Sequence, residues 1–300
     1  MPAVEKRLNK QKKRSKSSRR KLTKKQRHRR NLILGITIGL VVVLLPIVIV
    51  CNLWWNDLLP TREELPRYKE RIIIMLSGWQ RASLPEADVI GIDISHYQGN
   101  INFGELCFHI DNTRKVYAQA GKKTHRMPLS FVIAKSTQGA RYQDPYYKAY
   151  KQGARENGML FGAYHFYSYK AGAIAQAEHF IHVAQLQSGD LAPVLDIEPY
   201  NNTLPPTDSI YQWLKYIEHY YRLRPVIYTN ENTFTQLFLK DKRFDKYHYW
   251  IARYGGTEPT RHHIMWQCAE NGKAGGVSGP VDIDVFRGTM ADLKHKYTLP

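Results

Sequence analysis

The sequence predicts an α/β fold, an irregular and flattened TIM-like barrel of about eight strands with helices missing in the last third. Three observations predict it. From Val89 onward, short apolar runs alternate with stretches of helical periodicity, the pattern of βαβ units and a parallel sheet. About eight such runs occupy roughly 210 residues, enough to close a barrel. Beyond Leu239 the runs are joined by Gly-rich turns rather than by helical stretches.

The chain upstream of Val89 is built differently. Fifteen of the 44 Lys and Arg residues lie in the first 30 positions, against one acid, Glu5. The rest of the chain therefore carries 29 basic and 25 acidic residues, so the net charge of +18 belongs mainly to a tail. With almost no apolar content, residues 1–31 are expected to be a disordered cytoplasmic tail. Leu32–Val50 is a run of 19 residues without a charge, close to the roughly 20 apolar residues that span a bilayer. Cys51, Leu53, Trp54 and Trp55 extend it into an aromatic interface anchor, so residues 32–53 are expected to form a transmembrane helix. The positive-inside rule then places the tail in the cytoplasm, beside anionic lipid, and the rest of the chain across the membrane.

A cleaved signal peptide has a shorter basic region, an apolar core of about 7–15 residues and a small-x-small cleavage site, which this segment lacks. A bacterial lipoprotein signal needs a small residue where Val50 stands. Nucleic-acid binding by the tail is not expected, because a basic run beside a membrane span serves as an orientation signal. Residues 54–87 read as a juxtamembrane stalk, whose apolar Ile72–Leu76 is far too short to span. Residues 88–300 read as the barrel domain. The three cysteines, Cys51, Cys107 and Cys268, make no disulfide framework. Cys107 and Cys268 can pair in an oxidising compartment, but two unpaired buried thiols are the expected state.

Within the barrel, Val89–Ser95 is the opening strand and Ser130–Ser136 the second. Pro145–Asn157 follows as a helix stopped by Gly158. Leu160–Tyr167 is the third strand, and Ala171–Leu186 a helix with Ile174, Ala177, Ile181 and Ala184 on one face. Leu191–Ile197 is the fourth strand, a Leu- and Val-rich run closed by Pro199. Thr207 or Asp208 caps a helix through about Arg222, with Ile210, Leu214, Ile217 and Tyr221 as its apolar stripe. Pro225–Asn230 is the fifth strand, followed by a short helix over Thr233–Leu239. Tyr249–Tyr254, Ile264–Cys268 and Val281–Phe286 complete the set.

Functional groups of a parallel barrel collect at the C-terminal ends of its strands. The fourth strand runs into Asp196-Ile197-Glu198, and alternation puts both acids on one face with Ile197 on the other. Adjacent carboxyls at the end of an apolar strand repel and are partly desolvated, which raises one proton affinity and makes a proton donor near neutral pH. Glycosidic bond cleavage needs such a pair. Alone, Asp-x-Glu more readily describes two solvated acids at a strand–loop junction. The first strand, however, ends in Asp93 with Tyr97 and Gln98 just beyond, and the third in Tyr164-His165-Phe166-Tyr167. The fifth carries Tyr228, the seventh Trp266-Gln267, and Asp282 lies at the edge of the last.

Asp93, Asp196, Glu198 and Asp282 are therefore the candidate catalytic residues. Tyr97, Gln98, Tyr164, His165, Tyr167, Tyr228, Trp266 and Gln267 are the candidate sugar-binding residues, since aromatic faces stack on sugar rings while carboxylates act at the anomeric centre. Each has a structural alternative: an Asp within an apolar strand is often a satisfied core acid, and Tyr-His-Phe-Tyr also reads as core aromatics. Their shared position at strand ends carries the functional reading. The set calls for no metal and no cofactor.

Eight segments occur in order along the chain: GIDISHYQGNINF (Gly91–Phe103), FVIAKSTQGARYQDPYY (Phe131–Tyr147), GARENGMLFGAYHFY (Gly153–Tyr167), PVLDIEPY (Pro193–Tyr200), PVIYTN, YWIARYG, MWQ and VDIDVFRGT (Val281–Thr289). Through them the chain from about residue 88 to about residue 292 resembles the glycoside hydrolase family 25 lysozymes, the Chalaropsis-type muramidases. The resemblance implies a flattened barrel that hydrolyses the β-1,4 bond between N-acetylmuramic acid and N-acetylglucosamine, with peptidoglycan glycan strands as its partner. Carried over by motif, Glu198 would be the general acid. Asp196 would assist, by orienting the substrate's acetamido group or polarising it as an internal nucleophile. Asp93 and Asp282 would position Asp196, the sugar or a water.

The chain also departs from the family pattern. Lys135-Ser136-Thr137-Gln138-Gly139 stands where the family usually has Lys-Ala-Thr-Glu-Gly, and Asp284 replaces the Asn of Val-Asp-x-Asn, adding a charge near Asp282. The stretch between Phe103 and Ser130 is longer than usual and includes the basic segment 121–126, an expected loop insertion near the cleft or on its rim. The alternative to an enzyme is a non-catalytic peptidoglycan-binding tether on the same fold. Retention of all four acids argues for catalysis.

Overall fold

The computed structural model describes residues 83–300 apart from Asp88, Asn201, Asn202 and Gly256. The basic tail, the span over 32–53 and most of the stalk lie outside the described residues. Among the described residues no helix is long and apolar enough to cross a membrane.

The strands, in chain order, are β1 (Ile90–Ile94), β2 (Cys107–Ile110), β3 (Val116–Tyr117), β4 (His125–Pro128), β5 (Phe131–Gln138) and β6 (Tyr142–Gln143). They continue with β7 (Leu160–Phe166), β8 (Val194–Asp196), β9 (Val226–Asn230), β10 (His248–Ala252), β11 (Met265–Gly272) and β12 (Val281–Phe286). Eight of them close a barrel in the order β1-β12-β11-β10-β9-β8-β7-β5, with β5 returning to pair with β1 and β6 added as a short hairpin partner of β5. Neighbours from β1 through β5 and β7 to β11 are parallel, but β12 is antiparallel to both β11 and β1. The connection over 273–280 explains the reversal: a parallel crossover needs about a dozen residues or more, whereas a hairpin needs few. The consequence is functional. The N-terminal end of β12, with Asp282, comes to lie among the C-terminal ends of the other strands.

The helices are α1 (Tyr147–Glu156), α2 (Ala173–Ala184), α3 (Thr207–Tyr221), α4 (Glu231–Leu237) and α5 (Met290–Lys296). Between α4 and α5 no α-helix is present among the described residues, so the last third is strand-rich as its turns suggest. The expected stripe of α3 is buried throughout, with Trp213 added to it. Neither Thr207 nor Asp208 caps this helix. Pro206 holds the cap position without a side-chain bond, and Asp208 instead accepts from Arg243 at 2.7 Å.

The face of α2 is also corrected. Ile174 is 39% exposed, and the buried side comprises Ala173, Gln176, Ala177, Phe180 and Ala184. The helix is rolled so that Gln176 can reach inward. Its amide nitrogen donates to the carbonyls of Ser168 and Ala171, both at 2.9 Å, while its oxygen accepts from the Ser168 amide at 2.8 Å. A polar side chain on the core face escapes a search for apolar periodicity.

Strand alternation divides the apolar residues into two layers. One fills the bore, with Phe131, Ile133, Tyr164, Val194, Tyr228, Trp250 and Met265 among its members. The other lies between the barrel and the helices and includes Ile92, Val132, Ala163, Leu195, Ile251 and Trp213. His165, fully buried, belongs to this outer layer: its ring stacks on Trp213 with centroids 5.6 Å apart and 18° between planes. Its Nε2 meets Gln176 Oε1 at 3.1 Å and its Nδ1 meets Thr137 Oγ1 at 2.7 Å. Since the amide oxygen can only accept, Nε2 carries the proton and Nδ1 accepts from Thr137.

Burial holds the His165 imidazole down at about 3, against its usual 6.5. The unfolded chain binds this proton below 6.5 and the folded chain only near 3, so stability is lost as pH falls through that interval. At about pH 4.5 the loss should reach about 2–3 kcal/mol. Urea unfolding of wild type and His165→Gln at about pH 7 and about pH 4.5 checks this. The variant should show the smaller acid loss.

The insertion over 104–129 is a three-stranded antiparallel sheet, ordered β3-β2-β4, where a loop was expected. It packs beside the β11–β12 hairpin, with the Gly275 amide donating to the Cys107 carbonyl at 2.8 Å. Gly276 makes this close approach feasible: its φ is +78°, and a Cβ there would sit 2.3 Å from the Asn102 carbonyl oxygen, a place open only to glycine. The same sheet holds the start of the described chain. Arg114 donates from Nε to the Leu84 carbonyl at 3.2 Å and from Nη2 to the Pro85 carbonyl at 2.7 Å. Cys107 and Cys268 are buried and unbridged. Burial pushes the Cys268 thiol up to about 12, which makes it a poor nucleophile.

Candidate active site

The bore-facing positions near the C-terminal end of the barrel are polar, although the layers beneath are apolar. On β1, Ile92 and Ile94 belong to the outer layer, so Asp93 points into the bore. On β8, Leu195 and Ile197 face out, so Asp196 and Glu198 face in. On β12, Val281, Ile283 and Val285 face out, which turns Asp282 and Asp284 inward. Asp93 and Asp282 are direct neighbours in register. Asp196 and Glu198 lie on the opposite side of the ring, since two strands separate β8 from β1 on one side and four on the other. Asp93, Asp196 and Asp282 are buried at 2–3% exposure, whereas Glu198, just beyond its strand, is half-buried. Three acids are thus fixed inside the mouth and one stands at its opening.

A hydrogen-bond chain crosses the bore. Tyr228 on β9, in register with Asp196, donates to Gln267 Oε1 at 2.8 Å. Gln267 Nε2 donates in turn to Asp93 Oδ2 at 2.6 Å. Tyr254, 44% exposed at the rim, donates to the same amide oxygen at 2.7 Å. The amide is oriented by its two hydroxyl donors and aims its nitrogen at Asp93, a charge-assisted contact.

A bulge shapes the adjoining wall. The pairing of β5 with β7 slips between Lys135 and Thr137, so Ser136 is an extra residue in the strand. Without the slip, Lys135 and Gln138 would face opposite sides. With it, Lys135 Nζ donates to Gln138 Oε1 at 2.6 Å, and the ammonium also lies 4.9 Å from the Phe166 ring centroid. The departure at position 138 is therefore a structural contact: the neutral amide takes the ammonium that an acid would also take.

Of the sugar-binding candidates, Tyr164, Tyr228 and Gln267 face the bore, and Tyr97 is half-buried beyond β1, its ring 4.1 Å from that of His96. Four others do not line the site. His165 is stacked in the outer layer as described. Tyr167 is also in the outer layer, bonded to the Ser209 hydroxyl. Trp266 faces the helices, with its indole donating to the Arg253 carbonyl at 2.7 Å. Gln98 is buried, its oxygen accepting from the Ser95 amide at 2.8 Å and its nitrogen donating to the Pro280 carbonyl at 2.9 Å. It ties the first strand's exit to the β11–β12 hairpin.

The structure adds residues that were not singled out. Tyr254 joins the amide network, and Tyr169, 37% exposed, stands beyond β7 beside Tyr200, with ring centroids 5.8 Å apart. Trp250 fills the bore and donates from its indole to Asp284 Oδ1 at 3.1 Å. Burial and the nearby Asp93 and Asp282 carboxylates raise the proton affinity of Asp284 well above the usual carboxylate range. Among the described residues no group of His, Cys, Asp and Glu is arranged to hold a metal ion.

Residues 92–277 match the family described as Glycosyl hydrolases family 25. Lysozyme M1 of Streptomyces globisporus is 32% identical over 225 residues, covering 68% of this chain and 70% of that protein. YegX of Escherichia coli (strain K12) is 32% identical over 209 residues, covering 68% of this chain and 71% of that protein. The crystal structure of a bacterial lysozyme from Streptomyces coelicolor superposes with a TM-score of 0.58 at 27% identity, covering 70% of this chain and 96% of that one. A muramidase from Acremonium alcalophilum gives 0.55 at 26% identity, with 69% and 97% covered. By sequence and by its closed eight-stranded barrel, the chain belongs to glycosyl hydrolases family 25.

Proposed function

We propose that the protein is a membrane-anchored muramidase that hydrolyses the β-1,4 bond between N-acetylmuramic acid and N-acetylglucosamine in peptidoglycan. The observation that carries this reading is the convergence of Asp93, Asp196, Glu198 and Asp282 on one barrel mouth, with Glu198 the most accessible of the four. Glu198 donates the proton to the leaving glycosidic oxygen. Asp196, on the same strand face, assists at the acetamido group. Asp93 and Asp282 fix the floor of the site, Asp93 through the amide of Gln267. Tyr164 and Tyr228 inside, with Tyr97, Tyr169 and Tyr254 at the rim, supply aromatic surface for sugar rings. The kinship with proteins named lysozyme and muramidase supports the same chemistry.

The placement of the enzyme rests on the sequence. A charge-free run of 19 residues behind a tail with 15 Lys and Arg holds the barrel on the extracytoplasmic side, with the tail against anionic lipid and residues 54–87 as a stalk. The test is digestion of purified peptidoglycan by the full-length protein in detergent, following new reducing ends and sedimentation with the wall. Release of reducing ends is expected. Sedimentation without release would instead make the protein a wall-binding tether.

A further inference from the structure

Asp284 is the acid whose surroundings the catalytic reading leaves unexplained. It lies one step deeper in the bore than Asp282, paired in register with Gly91 on β1 and Gln267 on β11. It is fully buried. Its Oδ1 accepts from the Trp250 indole at 3.1 Å, and its Oδ2 receives no donor among the described residues. Its direct partner Gly91 has no side chain, and Asp93, two residues further along β1, is its diagonal neighbour on the same bore-facing side, so the two carboxyls lie side by side. Two carboxylates cannot hydrogen-bond each other, because both are acceptors, whereas a carboxylic acid and a carboxylate can. A hydrogen bond between them therefore needs a proton on one of the pair.

The donors decide which. Asp93 accepts from the Gln267 amide at 2.6 Å, a contact that stabilises its charged form. Asp284 has the neutral indole on one oxygen and receives no donor on the other among the described residues. We propose that Asp284 is held as a neutral acid that donates its proton in a hydrogen bond to Asp93, and so acts as a positioning residue whose ionisation closes the alkaline side of the enzyme's pH range. Asp93 is then clamped from two directions, by Gln267 and by Asp284, and presented to the mouth in one orientation beside Asp282. Ionisation of Asp284 removes a donor and places a second charge against Asp93, which breaks the clamp.

The titratable groups on the same side as Asp284 are Asp93 on β1 and Asp282 on its own strand, while β10 contributes the neutral Trp250 indole and the Cys268 thiol of β11 lies in the outer layer, near enough to feel the Asp284 charge. The carboxylates and the burial all oppose a charge on Asp284, and the thiol, itself raised by burial, stays neutral at working pH. An amide at this position would give the same donor without the ability to lose it.

The inference rests on the muramidase reading for its kinetic part and not for its structural part, and the experiment separates them. Full-length wild type, Asp284→Asn and Asp284→Leu are compared by pH profile of reducing-end release and by infrared spectra of the protonated carboxyl stretch. Asp284→Leu, which removes the donor, should lower kcat roughly ten- to hundredfold, with thermal melts reporting whether it is folded. Asp284→Asn should recover most of that loss and move the alkaline limb to higher pH. Wild type near neutral pH should show a buried protonated carboxyl that Asp284→Asn lacks. An unchanged alkaline limb in Asp284→Asn, or identical carboxyl spectra in the two proteins, would overturn the proposal. If wild type releases no reducing ends, the muramidase reading fails, and the spectra alone still decide where the proton resides.

Discussion

Glu198→Gln is expected to lower the rate of reducing-end release by about 10²–10⁴-fold, the usual contribution of a general acid, while leaving wall binding in place. The substitution keeps the size of the side chain and removes only its proton. Glu198 stands half-buried beyond the end of β8, and an amide of the same shape fits the same place, so the fold should survive. Asp196, by contrast, is buried at 2% exposure on the same face and is held within the wall of the bore. That difference in exposure is why Glu198 is the proposed donor: a leaving oxygen must reach the acid, and Glu198 is the most accessible of the four. Initial rates at equal concentrations of folded wild type and variant, with sedimentation on purified peptidoglycan, read both quantities. A variant that keeps near-wild-type rates would move the proton donor elsewhere in the mouth.

Trp213→Ala is expected to destabilise the protein by about 3–5 kcal/mol without lowering the turnover of the molecules that remain folded. Trp213 is fully buried on α3, stacked on His165 and packed 5.6 Å from the Phe180 centroid. Removing the indole opens a cavity between helix and barrel, on the far side of the sheet from the acids. Its Nε1 has no acceptor among the described residues, so Trp213→Phe should cost much less: it keeps an aromatic stack and discards a buried donor that contributes nothing. Urea unfolding gives the stability change, and kcat measured well below the melting range gives the activity. A large fall in kcat for folded Trp213→Ala would mean that the outer layer transmits strain into the mouth.

The contrast between these two residues shows what was legible in the sequence. The strands were, because Val281–Phe286 and Leu160–Phe166 are short apolar runs that only a barrel wall explains. The four acids were also legible, as polar interruptions at strand ends. The sugar-binding candidates were less so, since they include adjacent residues where alternation permits only one of each pair to face the bore. Gln267 faces in, so Trp266 faces out, and Tyr164 does the same to His165. That signal lay in the period of two. The bulge at Ser136 and the inward Gln176 left no such trace, because each is set by pairing between distant segments. The direction of β12 was open to inference from the brevity of the 273–280 connection, and it is what carries Asp282 to the mouth and Asp284 beneath it.

The most direct test of the muramidase reading is the identity of the sugar at each new end. Products released from purified peptidoglycan by the full-length protein are reduced with borohydride, which converts the exposed reducing sugar to its alditol, and then hydrolysed and identified. The alditol of muramic acid is the expected product, absent with Glu198→Gln. The alditol of glucosamine, or no alditol from a folded protein that binds the wall, would contradict a muramidase.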